Sequence, residues 1–312
     1  MTNTTSNQQN TLTSPLPAIR AYLGGSFDPV HNGHLQVAMS VYQHLLPIAV
    51  QQQRALHVYL LPNARSPFKT QSTDPNHRLA MLNLAVQDTP IQINELELWQ
   101  TPPVYTIDSV RTLRQQYPND NLIFIMGMDS AHSLDKWKDG LRLTDYVNLW
   151  VFNRASHDNI NDGVSDSVSL LADTTTAQDI STLKSQLPVL LQPRITDSPM
   201  TLLAPSSKCL KDSTHLNNSD PNSSDLKNAN QGRIYIDTRP ITAVSSTQIR
   251  EQLQELAHKT NKIPVADRQI ASIASINAII SNTEFNPLAK WLNPAVYHYI
   301  IAHQLYSAAQ FR

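Results

Sequence analysis

Gly24–Leu35 reads GGSFDPVHNGHL and follows a short apolar segment, Ala18–Leu23. A strand that ends in two glycines lets the backbone turn tightly and approach a ligand closely. Gly33 lies within the turn that opens the next helix. His31 and His34 are three residues apart, so they share one side of that first helical turn. A helix N-terminus offers free N–H groups and the positive end of a dipole, which suits phosphate. Two imidazoles beside those donors make a site that can clamp a triphosphate. A lone H-x-G-H would fit an ordinary strand–turn–helix with two surface histidines; the whole twelve-residue string favours the nucleotide site.

Outward from this string, strands alternate with helices. Gly33–Leu46 has helical spacing, and Leu56–Leu61 reads as a buried strand stopped by Pro62. Pro75–Val86 is a predicted helix with Asp74 as N-cap. Ile91–Leu98 alternates as a strand would, and Thr106–Tyr117 is an amphipathic helix stopped by Pro118. Leu122–Met126, Tyr146–Phe152 and Arg233–Ile236 complete the strands, and helical patterns fill Thr247–Ala257, Val265–Ile280 and Pro294–Tyr306. This alternation predicts an α/β fold, a Rossmann-like doubly wound parallel sheet with a helical C-terminal part. Residues 155–231 are rich in Ser, Asp, Asn and Thr, and Lys211–Gln231 has no Val, Ile, Phe, Trp, Tyr or Met. Such a stretch buries too little apolar surface to offset its ordering entropy. The expectation is one domain over residues 18–312, interrupted at about 155–231 by a low-complexity surface insertion and preceded by a disordered tail, 1–17. Within the insertion, Ala177–Leu191 has the spacing of a helix that packs locally.

Composition narrows the function. The 312 residues carry 24 Lys+Arg against 25 Asp+Glu, a net charge of -1. That balance lacks the basic face of a general nucleic-acid binder. One cysteine, Cys209, excludes an intrachain disulfide framework and a cysteine-clustered zinc site, and points to a reducing compartment. Residues 1–17 have neither the basic start nor the apolar stretch of a secretory signal. No run approaches the roughly 18 apolar residues of a membrane span. The expectation is a soluble, cytoplasmic protein with no membrane partner. Glycine is scarce: 7 residues, where average usage would give about 22. Gly24, Gly25, Gly33 and Gly127 fall in two strand-to-helix turns, and only Gly140, Gly163 and Gly232 lie elsewhere.

A second element answers the first. Val244–Arg250 reads VSSTQIR, between a strand and a helix. Ser245, Ser246 or Thr247 can cap that helix, and the hydroxyls with the free amides make another phosphate cradle. Arg250 projects from the first turn as a guanidinium able to bind phosphate oxygens.

With both elements in place, the sequence resembles the bacterial nicotinate-nucleotide adenylyltransferases, of the nucleotidyltransferase superfamily with H-x-G-H and S-x-T-x-x-R motifs. The resemblance covers roughly residues 18–154 and 233–253, with a weaker match over Leu292–Arg312. Leu61-Pro62-Asn63 with Pro67 and Lys69 resembles the family's loop after the second strand. Glu95-Leu96-Glu97 and Tyr105-Thr106 resemble its E-L and S-Y-T segment, and Gly127-Met128-Asp129-Ser130 its G-x-D-S turn. Trp137 falls where the family has a substrate-stacking tryptophan. Two departures stand out: Phe68 where a histidine is common, and Lys138 where an aromatic is frequent.

The resemblance implies transfer of AMP from ATP to nicotinate mononucleotide, giving deamido-NAD and pyrophosphate. His31, His34 and Arg250 would stabilise the charge that develops on the phosphates. Gly24, Gly25, Ser26 and Phe27 would bring backbone amides close to ATP, Gly127 and Asp129 would touch its ribose, and Ser246 and Thr247 would lie on its side. Asn63, Lys69, Tyr105, Thr106, Trp137 and Arg154 would serve the mononucleotide. Mg2+ would arrive on the ATP phosphates, without a protein metal site. Plain alternatives exist: Trp137 and Tyr105 as core aromatics, Lys69 and Arg154 as solvated charges, Asp129 as a helix cap. The functional alternatives are a nicotinamide-mononucleotide or pantetheine-phosphate adenylyltransferase of the same superfamily, or a non-catalytic nucleotide-binding regulator. A class I aminoacyl-tRNA synthetase would also carry an H-x-G-H-type motif, but no K-M-S-K-S-like loop is present. The oligomeric state stays open.

Overall fold

A computed structural model describes residues 16–65, 72–153, 177–204, 232–241, 244–261 and 287–306. In chain order the elements are β1 (Ile19–Gly25), α1 (Asn32–Gln51), β2 (Leu56–Pro62), α2 (Pro75–Val86), β3 (Ile91–Ile93), α3 (Thr106–Gln116), β4 (Asn121–Gly127) and the short α4 (Met128–His132). They continue with β5 (Asn148–Phe152), α5 (Ala177–Gln186), β6 (Ile195–Thr196), β7 (Ile234–Asp237), α6 (Ser246–Asn261), α7 (Pro287–Trp291) and α8 (Pro294–Ala302). The strands form one sheet in the order β3-β2-β1-β4-β5-β7-β6. Every neighbouring pair is parallel. The order reverses between β1 and β4, and in open α/β sheets ligands bind at the carboxyl ends of the strands at such a point.

Alternate residues of each strand feed two cores, as the period of 2 requires. Ile19, Ala21 and Leu23 of β1, Ile123 and Ile125 of β4, and Trp150 and Phe152 of β5 face one layer, with α1, α2, α6 and α8. Tyr22, Leu122, Phe124, Met126, Leu149 and Val151 face the other, with α3, α4 and α5. Both faces are covered, so the strands read as near-continuous apolar runs. Within the first layer the Trp150 Nε1–H donates to Asp237 Oδ2 at 3.0 Å. Asp237 is itself fully buried and held by Arg239.

The predicted doubly wound sheet is present, and Asp74 caps α2 by accepting from the Asn76 N–H at 2.8 Å. Three readings change. The strand expected over Ile91–Leu98 ends at Ile93, because Asn94 Oδ1 accepts from the Leu96 N–H and turns the chain. The helix after the first turn runs past Pro47 to Gln51, where buried Leu45 and Ala49 keep its last turns on the core. The third concerns the stretch expected as a surface insertion. Its residues 177–204 contribute α5 and the edge strand β6, and Leu183, Leu187, Leu191, Leu202 and Leu203 are buried in the two cores. Leucines spaced along a polar sequence suffice to dock it. The rest of that stretch, residues 1–15 of the tail and the helix expected over Val265–Ile280 lie outside the described residues.

The turn after β3 buries Glu97, which is 6% exposed. Burial pushes its carboxyl above the usual range, and the Ser109 hydroxyl opposes this only in part. A carboxyl whose folded pKa is raised lends stability that is complete below its unfolded value and is lost as pH rises through the folded one. Glu97→Gln is therefore expected to raise the melting temperature at pH 8 and to leave it nearly unchanged at pH 4, as measured by thermal denaturation at both pH values.

Candidate active site

The site opens at the C-terminal ends of β1 and β4. Gly24 sits against the Phe124 ring of β4; a Cβ there would lie 2.6 Å from Cζ, so only glycine lets the strand end pack so closely. After Ser26 the chain passes through Phe27, held at φ 47°, and reaches His31, the N-cap of α1. His31 and His34 form a reciprocal capping box, the role that Ser/Thr and Glu usually play. The His31 N–H donates to His34 Nδ1 at 3.3 Å. The two rings stack with centroids 3.6 Å apart, and Phe27 packs edge-on against His34 at 4.8 Å. With Nδ1 accepting, a neutral His34 carries its proton on Nε2, the donor that a phosphate oxygen needs. That tautomer follows from the bonding geometry.

The second motif lies across the loop. Ser245 is the cap of α6: its hydroxyl accepts from the Gln248 N–H at 3.2 Å, and Gln248 Oε1 accepts from the Ser245 N–H at 2.9 Å. Ser246 Oγ donates to the Pro29 carbonyl at 3.0 Å. Arg250 donates from Nη1 to the Asp28 carbonyl at 2.6 Å and from Nη2 to Thr247 Oγ1 at 3.1 Å. The two motifs, more than 200 residues apart, are thus bonded to each other directly. His31, Gly33, His34 and Gly127 line one cleft, with Leu23, Val37, Met126, Phe152, Ile241 and Val244 as its apolar walls.

The remaining expected residues lie around this centre. Gly127 precedes α4, and Asp129 is an exposed first-turn residue of that helix rather than its cap. At the end of β2, the Asn63 N–H donates to the Gly25 carbonyl, and Asn63 Oδ1 is buried without a partner among the described residues. Tyr105 and Thr106 begin α3. Tyr105 and Trp137 pack half-buried at the edge of the second core. Lys138 lies 4.5 Å above the Tyr105 ring, and its Nζ donates to Asp108 at 3.0 Å. Lys69 and Arg154 lie outside the described residues.

Sequence reasoning missed what lies beneath the loop. Arg78 of α2 is wholly buried. Its guanidinium donates to the carbonyls of Ser26 at 2.9 Å, Asn63 at 2.7 Å, Ala64 at 2.5 Å and Thr73 at 3.0 Å. Burial lowers its pKa, and the nearby Asp28 carboxylate opposes that. Asp28, 4% exposed, accepts from the Thr73 N–H at 3.0 Å and the Tyr306 hydroxyl at 2.6 Å. Asp28 lies inside the quoted string and could have been singled out as the one carboxylate there. Arg78 and Tyr306 carry no local signal.

Comparisons with known proteins identify the family and the fold. A family model described as cytidylyltransferase-like matches residues 22–252. A probable nicotinate-nucleotide adenylyltransferase of Idiomarina loihiensis is 31% identical over 241 residues, 76% of this chain and 89% of that protein. The nicotinate-nucleotide adenylyltransferase of Bacillus subtilis is 39% identical over 132 residues, 41% of this chain and 64% of its own length. Among solved structures, the nicotinic acid mononucleotide adenylyltransferase of Plasmodium falciparum complexed with NaAD is similar in fold, with a TM-score of 0.51 at 15% identity, over 93% of this chain and 97% of that one. The chain belongs to the cytidylyltransferase-like family of nucleotidyltransferases, and within it to the nicotinate-nucleotide adenylyltransferases.

Removing Arg78 would orphan several buried carbonyls at once, each worth about 1–3 kcal/mol. Arg78→Met is expected to lower the unfolding free energy by about 3 kcal/mol or more, read by urea denaturation. Gly33→Ala tests the tightness of the site: its Cβ would meet Val244 Cγ1 at 2.9 Å and His31 Nδ1 at 3.1 Å. Turnover is expected to fall about tenfold or more, in keeping with the cost of small misplacements at reacting centres, while circular dichroism stays unchanged.

Proposed function

We propose that this enzyme joins ATP and nicotinate mononucleotide in a direct in-line displacement, making deamido-NAD in NAD biosynthesis. The mononucleotide's 5′-phosphate oxygen attacks the α-phosphorus of ATP. The bond from that phosphorus to the β-bridging oxygen breaks, and pyrophosphate leaves. The attacking oxygen is already anionic, so neither a covalent intermediate nor a general base is required. Catalysis then consists of positioning and of stabilising charge on the phosphate oxygens.

The observation that carries this reading is the bonded pair of motifs: the stacked His31–His34 cap of α1, and Arg250 tied to the same loop. His34 offers Nε2–H and Arg250 its remaining N–H donors to the transferring phosphate. The free amides of α1 add a positive potential. Gly24, Gly25, Ser26 and Phe27 admit the triphosphate, Gly127 and Asp129 meet the ribose, and Ser246 and Thr247 flank the phosphates. Asn63, with its unpartnered amide oxygen, Lys69, Tyr105, Thr106, Trp137 and Arg154 serve the acceptor. Magnesium enters as part of the ATP substrate. Asp28 is given a structural role in this reading, its carboxylate oxygens accepting from the Thr73 N–H and the Tyr306 hydroxyl. No helix among the described residues is long and apolar enough to cross a membrane, and a cytoplasmic setting completes the reading.

An assay of pyrophosphate release with ATP and each acceptor is expected to rank nicotinate mononucleotide above its amide counterpart and above phosphopantetheine; faster turnover of either competitor would refute the choice of substrate. His34→Ala is expected to lower kcat by at least about a hundredfold, the usual cost of one such donor, with the far-ultraviolet spectrum unchanged. Undiminished turnover in this variant would remove His34 from the mechanism.

A further inference from the structure

Asp28 is where three separate parts of the chain meet. Its carboxylate takes the Tyr306 hydroxyl at 2.6 Å and the Thr73 amide at 3.0 Å, while its carbonyl takes Arg250 Nη1 at 2.6 Å. Tyr306 stands four residues beyond the end of α8 and is fully buried. Burial and the adjoining carboxylate push its hydroxyl well above the ordinary phenol range, so it stays a donor. Its backbone is held at φ 62°, and Phe27, next to Asp28, at φ 47°. Bulky residues rarely adopt such values, and they persist only where the surroundings over-determine them. The turn that delivers Tyr306 is itself fastened, with the Leu305 N–H donating to the Ile300 carbonyl at 3.0 Å.

We propose that Tyr306 is a positioning residue for adenylyl transfer: by fixing the Asp28 carboxylate from the C-terminal end of the chain, it fixes the carbonyl that aims Arg250. This rests on the reading of Arg250 as a phosphate ligand. The carboxylate is joined to the backbone at Cα, so holding it fixes the Cα–Cβ direction of Asp28 and limits the backbone rotation that would swing its carbonyl away from Arg250. A guanidinium held by that carbonyl therefore moves with the C-terminal turn. Asp28 itself touches no reacting atom in this scheme. The C-terminal segment thus becomes a working part of the phosphate site, although it lies 56 positions beyond Arg250 in a chain of 312 residues.

The test is a double-mutant cycle on the full chain, with adenylyl transfer as the readout. Tyr306→Phe keeps the ring and removes only the hydroxyl. It is expected to lower kcat about tenfold, on the scale of small misplacements, with the KM for the mononucleotide little changed. In an Arg250→Ala background the same change is expected to cost almost nothing further, since coupled residues are non-additive. Tyr297→Phe, at a buried tyrosine of α8 outside the loop, serves as the control for general destabilisation and is expected to keep its kcat. Should Tyr306→Phe fail to fold, Asp28→Asn enters the same cycle and is expected to show the same loss of effect without Arg250. Losses that add in full between either variant and Arg250→Ala would overturn the proposal, as would a normal kcat in Tyr306→Phe. If the parent enzyme transfers no AMP to the mononucleotide, the substrate reading fails instead; if Arg250→Ala leaves kcat intact, the phosphate role of Arg250 fails.

Discussion

One buried guanidinium holds the working end of this molecule together. Arg78 is enclosed by protein, and its donors reach four main-chain carbonyls on the segments that follow β1 and β2 and that precede α2. Loop carbonyls at the top of a parallel sheet have no ladder to join, and burying them without partners is costly. A planar fork with five donors can satisfy several at once, which a lysine could not do with the same geometry. The loop between β1 and α1 inherits its shape from that arrangement. Asp28 then balances the charge nearby and passes the constraint on to Thr73, Tyr306 and Arg250.

The site that results is assembled from short-range rules applied at long range. Each motif caps its own helix, His31 with His34 and Ser245 with Gln248, so each is locally stable. The cross-bonds from Ser246 to Pro29 and from Arg250 to Asp28 then set one cap against the other. Two helix N-termini aimed at one loop supply positive potential without burying a free cation.

Much of this was readable in the residues. Asp74 before Pro75 announced a helix start, and the apolar runs of β1, β4 and β5 announced strands covered on both faces. The histidine and serine–arginine motifs stood out because their chemistry is local in sequence, and the structure bonds the two to each other. What escaped was non-local. Arg78 follows Asn76 and His77, where it reads as part of a polar helix start. Only the closeness of Ser26, Asn63 and Thr73 gives it a role. Tyr306 meets Asp28 across 278 positions, a distance no periodicity spans. Glu95–Leu98 alternated like a strand, yet one side chain, Asn94, offered the backbone a competing turn and won. Leu183, Leu187 and Leu191 fall in the stretch whose helical spacing was legible, whereas the burial of Leu202 and Leu203 was hidden by their polar neighbours in composition.

The lengths of the outer strands carry a consequence for the protein in crowded solution. Among the described residues the sheet ends in β3, three residues long, on one side and β6, two residues long, on the other. An exposed sheet edge is a template on which another chain can pair, and long flat edges invite aggregation. Here the long apolar strands are all interior, and the rims offer too few hydrogen-bonding groups to nucleate such pairing. The turn that cut β3 short, and the brevity of the rim strand that a polar stretch donates, both work as guards against self-association through the backbone.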